Sequence, residues 1–131
     1  MTLKTLLRLQ RLYALIGTTY NLSSMVMVYF GAPPLSATSA VGGLVAMAVY
    51  ALFLMPGSFG HHKTYRFLMT ISVLILGYGG VINHLLNINE LQLYHSTPAW
   101  VLAIVINLFG LCLNLIAALG KYDHRGRLCS D

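Results

Sequence analysis

Charged side chains are scarce in this chain of 131 residues, which has only eight Lys and Arg and three Asp and Glu, or 8% of the total. An ordinary soluble domain has roughly 25% charged residues. A domain this small must also cover itself with polar side chains, because much of its chain stays exposed. With 57% hydrophobic residues and a mean hydropathy of +0.73, the chain cannot do so. The composition excludes a soluble monomer and predicts an integral membrane protein.

Cysteine and intramembrane carboxylates are also nearly absent. Cys112 and Cys129 are too few for a disulfide framework, and we interpret them as a small apolar residue and a tail thiol. The long apolar stretches hold no Asp or Glu, whereas ion-coupled transporters and proton pumps usually carry an intramembrane carboxylate. The net charge of +5 comes from three short segments beside apolar runs, so we expect no nucleic-acid partner.

Four uncharged stretches are long enough to cross a hydrocarbon core of ~30 Å, which needs about 20 helical residues. They cover residues 12–30, 35–55, 67–88 and 98–119. Proline, glycine and asparagine separate them, and residues 120–131 form a basic tail. The sequence therefore predicts one all-α transmembrane domain, a four-helix bundle with up-down-up-down topology.

The basic residues predict the orientation of this bundle. All eight lie before the first stretch, between the second and third, or after the fourth: Lys4, Arg8, Arg11, Lys63, Arg66, Lys121, Arg125 and Arg127. The other two loops have none. The positive-inside rule then places both termini and the His61–His62 loop in the cytoplasm. We expect a bacterial cytoplasmic (inner) membrane as the location.

Residues 1–12 have a second interpretation. Lys4, Arg8 and Arg11 share one narrow arc of a helix, with leucines away from it. Such a segment either lies on an anionic membrane surface or is simply the cytoplasmic end of the first span.

Small and polar residues recur every three to four positions in each stretch, the spacing of helices that pack in a bilayer. The estimated depths of the polar members match in three layers at 1.5 Å per residue. These depths predict three interhelical hydrogen bonds, namely Asn21–Asn107, Tyr50–Asn114 and His84–Ser24. We interpret them as structural contacts, with a polar path through the bundle as the alternative.

His84 is the one imidazole inside a predicted span, and three glycines precede it. It is the candidate ligand or cofactor contact, together with Asn83, Asn87 and His95. A neutral imidazole can ligate haem iron or hydrogen-bond a quinone, with His95 or Tyr94 as a second contact. The structural alternative is a buried histidine bonded to a hydroxyl or amide. His61, His62 and His124 lack the further ligands that a metal site needs, so we predict no metal.

Three functions remain open. The first, which we favour, is a non-catalytic accessory or assembly subunit that packs against a larger membrane complex. Gly42, Ala46, Gly79 and Ala118 support it, because these small residues lie off the inward stripes and would admit a partner helix or a second copy. The second is an oligomeric small transporter or channel, and the third is a haem- or quinone-binding redox subunit that uses His84.

Overall fold

The computed structural model describes residues 1–123, and this part of the chain is helical without a β-strand. Its long helices are α1 (Leu3–Tyr29), α2 (Ala40–Phe53), α4 (His62–Leu76) and α6 (Thr97–Ala118). A short helix, α3 (Met55–Ser58), extends α2. A six-residue π-helix, Gly77–Ile82, joins α4 to α5 (Asn83–Leu86), and two 3₁₀ turns, Asn87–Asn89 and Leu91–Leu93, lead towards α6.

Side-chain caps and glycines mark the helix ends. The hydroxyls of Thr2, Ser39 and Ser96 accept hydrogen bonds from the first backbone N–H groups of α1, α2 and α6, which would otherwise lack partners. Gly60 and Gly120 have φ of +80° and +69°, a conformation that costs glycine little and often ends a helix. Because Ser39 caps α2, the second apolar stretch becomes helical at Ala40 rather than at residue 35. The helical segment then continues past Pro56 to Ser58.

Three helical segments are long and apolar enough to cross a membrane, where the sequence predicted four: Ala40–Ser58, His62–Asn89 and Thr97–Ala118. Helix α1, with 27 residues, extends about 40 Å at 1.5 Å per residue, so its length suffices. The part of α1 after Arg11 is less apolar than those three segments, because it contains two threonines, Asn21 and two serines. The all-α fold is confirmed, while α1 as a fourth span remains part of the proposal below.

The long helices pack unevenly. Helix α1 packs along α2 and α6, and α4 packs along α6, whereas α2 and α4 meet in only a few places. The bundle is therefore closed on three sides and loosely closed on the fourth. The two ends of the described part, which we call the chain ends, meet at one end of the bundle, where Leu3 N–H donates to Asp123 O at 3.0 Å and Asp123 N–H donates to Met1 O at 2.9 Å.

The best-buried side chains lie in the half of the bundle nearest the chain ends. Tyr13, Tyr50 and Tyr65 are at most 3% exposed, and the rings of Tyr13 and Tyr50 meet edge to face at 5.2 Å. Leu6 and Met69 fill the space beside them. The candidate site lies in the opposite half of the bundle, around His84.

Candidate functional site

The π-helix places the candidate site. Gly77, Gly79 and Gly80 all fall within it, and π turns inside α-helices often occur at functional sites. Gly80 is buried against the side chain of Asn107 on α6, so the helix backbone approaches its neighbour closely. Asn83 and His84 follow directly, and His84 is 3% exposed.

Two aromatic residues hold His84 from the chain segment that follows it. Its Nδ1 lies 2.8 Å from the hydroxyl of Tyr94, and its backbone carbonyl accepts a hydrogen bond of 2.8 Å from the indole N–H of Trp100. Burial raises the pKa of Tyr94, so its hydroxyl keeps its proton at neutral pH. Ring and backbone of His84 are therefore both fixed.

The second ring nitrogen of His84, Nε2, makes no hydrogen bond to any of residues 1–123. His84 lines a cavity of about 270 Å³ between α2 and the π-helix, which we call the outer groove. Because Nδ1 is engaged by Tyr94, Nε2 remains available to a ligand. It accepts a hydrogen bond in one tautomer and donates in the other.

Polar groups and bare backbone share the walls of the outer groove. The residues that matter here are Tyr20, Asn21, Ser36, Thr38, Gly42, Gly79, His84 and Asn107. Gly42 and Gly79 are exposed, and a Cβ at Gly79 would meet nothing within 4 Å. The groove therefore admits either a closely packed helix or a small ligand with a polar head.

Two of the three predicted hydrogen bonds are wrong. Asn21 and Asn107 donate to carbonyls of their own helices, Gly17 O and Ala103 O, both at 2.8 Å. Asn107 Oδ1 lies 3.4 Å from the hydroxyl of Tyr13. The two amides lie at the same estimated depth in the membrane but do not bond to each other. Each side-chain N–H instead donates to a backbone carbonyl on the preceding turn of its own helix.

His84 bonds to Tyr94 instead of Ser24. The Ser24 hydroxyl accepts from the backbone N–H of Leu35 at 3.0 Å. The Tyr20 hydroxyl lies 2.8 Å from Leu35 O and 3.1 Å from Ala99 O. Through these hydrogen bonds, Tyr20 and Ser24 connect the loop 30–39 to α1 and α6. The estimated depth of Ser24 in the membrane did not predict this contact.

The third predicted bond is confirmed and belongs to a larger buried network. Tyr50 donates to Asn114 Oδ1 at 2.7 Å, and Gln10 Nε2 donates to the same oxygen at 3.0 Å. Gln10 also lies 3.2 Å from Met69 Sδ and accepts from the hydroxyl of Tyr65. The network fills the bundle centre near the chain ends, so it acts as a structural core there.

The other predicted site residues are not brought to one centre. His95 is exposed, and its backbone N–H bonds to Pro34 O at 2.7 Å, so Tyr94 rather than His95 meets His84. Asn87 is half-buried beside Tyr94. Asn83 is half-buried, and its side chain makes no hydrogen bond to the residues that the structure describes.

The predicted basic segment is the start of α1 and not a separate surface helix. Leu6 and Leu7 are 0% and 7% exposed, because they pack into the bundle core rather than against lipid. Lys4, Arg8 and Arg11 remain exposed on the other side. From Leu3 on, this segment is therefore part of the first helix, with its basic residues on the exposed side.

Among residues 1–123, no three His, Cys, Asp or Glu side chains lie close enough to share a metal ion. Cys112 is a free, exposed thiol. His124, Cys129, Arg125 and Arg127 lie outside the described residues, so the three-histidine cluster is not described as a whole.

Sequence reasoning missed Gln10, Tyr65 and Trp100. Gln10 lies before residue 12, where the first predicted span begins. One signal was present, since Gln10 lies three residues before Tyr13 and therefore on the same helix face. Trp100 follows a loop in the sequence, and nothing in its neighbourhood indicates a bond to the backbone of His84.

Comparisons with protein-family models, with curated proteins and with solved structures found no match to this chain. The functional argument therefore depends on the geometry of the described residues.

Proposed function

We propose that the chain is a four-span protein of the bacterial inner membrane that acts as a non-catalytic subunit of a larger membrane complex. In this proposal α1 is the fourth span, and both termini lie in the cytoplasm. The grouping of charge supports this orientation. Helix ends that carry Lys4, Lys63 and Lys121 lie where the chain ends meet, and Arg66 Nε donates to Ala118 O there at 3.1 Å.

The observation that carries the subunit proposal is the open outer groove. Helices in lipid associate through close backbone approach and hydrogen bonds, because lipid provides no hydrophobic drive between them. Gly42 and Gly79 present bare backbone on the two walls of the groove, and it lies on the loosely closed side of the bundle. A partner helix with small residues would complete the packing there. In the alternative of a transporter or channel, the path would run between copies, because the aromatic core fills the bundle centre near the chain ends.

The geometry of His84 favours a second candidate, the redox subunit. An imidazole whose Nδ1 is bonded to Tyr94 and whose ring lines the outer groove suits a hydrogen bond to a quinone carbonyl. It also suits one axial position of a haem. The described residues place no second histidine beside it, so the quinone is the better fit of the two.

Affinity purification from the native membrane separates the two candidates. We expect a larger membrane protein to co-purify with the wild type and with His84→Gln, which keeps a donor and an acceptor. Gly42→Leu/Gly79→Leu should lose the partner, because the added side chains fill the groove. A matched control, Val45→Leu/Val105→Leu, changes two exposed residues outside the groove and should keep it.

The opposite pattern would reject the subunit proposal. If no partner co-purifies, and if His84→Gln loses a bound chromophore or quinone while circular dichroism shows an intact fold, the redox candidate takes its place. If neither variant differs from the wild type, the groove is not the site of either function.

A further inference from the structure

A second concave site lies at the opposite end of the bundle, on the side where the chain ends meet. This basic pocket has a volume of about 600 Å³, and its walls include Lys4, Arg8, Arg11, Ser58 and Asp123. The three cations follow one another at intervals of four and three residues, so they share one face of α1. Three cations and one carboxylate line the pocket, so it carries a net positive charge.

The cations of the basic pocket are available to a ligand. Lys4 and Arg8 are exposed, and their side chains make neither an ion pair nor a hydrogen bond with any of residues 1–123. Arg11 is held in place, because its Nη2 donates to the hydroxyl of Ser58 at 2.8 Å. This combination of one positioned guanidinium and two unengaged cations is suited to a phosphate group.

An apolar groove continues from the basic pocket. It runs between α1 and α2 with a volume of about 460 Å³, and Arg11 and Ser58 line both spaces. Ala14, Ala48 and Ala51 keep it open, because their side chains are short. From Arg11 to Thr18 it follows α1 over seven residues, or about 10 Å. A free phosphate ion would leave this groove unused, whereas a lipid would fill both parts.

We propose that one anionic phospholipid of the inner leaflet binds here, with its phosphate in the basic pocket and one acyl chain in the apolar groove. Basic pockets between helices on the cytoplasmic side of a membrane are a recurrent means of binding anionic headgroups. The inference depends on the membrane orientation proposed above. It does not depend on a protein partner or on His84.

Native mass spectrometry of the full chain in detergent tests the site with two added lipids, phosphatidylglycerol and phosphatidylcholine. We expect one phosphatidylglycerol to bind at least about tenfold more tightly than phosphatidylcholine. Lys4→Gln/Arg8→Gln should weaken phosphatidylglycerol binding about 25-fold, since each cation near an anionic surface contributes roughly fivefold. These two side chains have no partner to lose in the described part, so the variant should fold normally.

The matched control removes the same charge from the same end of the protein. Lys63 and Lys121 lie outside the basic pocket, so Lys63→Gln/Lys121→Gln should bind phosphatidylglycerol as the wild type does. Equal losses in both double variants would show a diffuse surface attraction and would overturn the proposal.

The apolar groove has its own test. Ala48→Leu should weaken phosphatidylglycerol binding, whereas Val45→Leu, one turn away and outside the groove, should not. If Ala48→Leu has no effect and 10 mM inorganic phosphate (on the order of a saturating concentration for a weak phosphate site) displaces the lipid, the site binds a soluble phosphate group. If the chain binds phosphatidylglycerol but no protein co-purifies from the native membrane, the lipid site is supported. That result rejects only the subunit proposal.

Discussion

Neighbouring glycines of the π-helix offer a sharp test of the packing, because they have opposite surroundings. A Cβ at Gly79 would meet nothing within 4 Å. A Cβ at Gly80 would lie 3.1 Å from Asn107 Cβ and 2.5 Å from Asn107 Oδ1. We therefore predict that Gly80→Ala destabilises the protein and that Gly79→Ala does not.

The stability difference between the two variants comes from the packing cost at Gly80, because the gain in helix propensity is common to both. Both substitutions gain the helix propensity of alanine over glycine, about 0.8–1.0 kcal/mol. Gly80→Ala alone forces a methyl group into a filled space, which costs about 1–3 kcal/mol. Asn107 cannot simply turn away, because its Nδ2 is bonded to Ala103 O at 2.8 Å, and losing such a bond in a membrane costs a further ~0.6 kcal/mol. We expect Gly80→Ala to be about 1–4 kcal/mol less stable than Gly79→Ala.

Unfolding in a titration of denaturing detergent, followed by circular dichroism, measures this difference. Asn107→Ala supplies the rescue, since removing the amide makes room for the new methyl group. In that background Gly80→Ala should have little effect, which gives a coupling energy of about 1–3 kcal/mol. Equal stabilities of the two alanine variants, or an equal cost of Gly80→Ala with and without Asn107, would refute the close approach of the π-helix to α6.

Two further predictions concern the buried network and the orientation. Gln10→Leu and Asn114→Leu should each cost about 1–3 kcal/mol, because each leaves buried partners unsatisfied; the double variant should cost about 0.6–1.7 kcal/mol less than the sum in the same unfolding assay, and strictly additive losses would show that the two amides act independently. In cells, with the native cysteines replaced, a thiol reagent that cannot cross membranes should label His95→Cys from outside and should not label His62→Cys; the reverse pattern would invert the proposed topology.

Composition and hydropathy were enough to predict the helical fold, because they depend on sums over many residues. The spacing of small and polar residues agrees with the buried face of α6, where Ala103, Gly110, Asn114 and Ala117 are buried. Contacts between particular side chains were harder to predict. Depth matched Asn21 with Asn107, but each amide found a nearer acceptor on its own helix. Tyr50 and Asn114 did form the predicted pair, through Asn114 Oδ1, while Asn114 Nδ2 is buried without a hydrogen bond to the described residues.

The site around His84 was predicted in part. Three glycines were noted before it, and Tyr94 was named as a second contact to a haem or quinone, whereas in the structure Tyr94 bonds to His84 itself. The outer groove was not predicted, because it arises from the gap between α2 and the π-helix, elements far apart in sequence. The role of Trp100 depends in the same way on the path of the loop that returns the chain to α6.

The inward position of His84 depends on one extra residue in the third helical segment. Tyr65, Met69, Ser72 and Leu76 are buried at intervals of four, three and four residues, the seven-residue repeat of a packed helix. Continued without interruption, this repeat would bring positions 79 and 83 inward. The π-helix accommodates an additional residue, so Gly80 and His84 are buried instead.

Counting back from His84 by sevens reaches Gly77 and then Thr70, which is exposed and donates to Arg66 O at 3.0 Å. An uninterrupted seven-residue repeat therefore does not connect His84 to the buried face of α4. In an uninterrupted α-helix with the observed start, Asn83 would point into the bundle and Gly79 would meet α6. The π turn therefore does two things at once: it turns the imidazole towards the outer groove, and it leaves the bare backbone of Gly79 on the surface where a partner would pack.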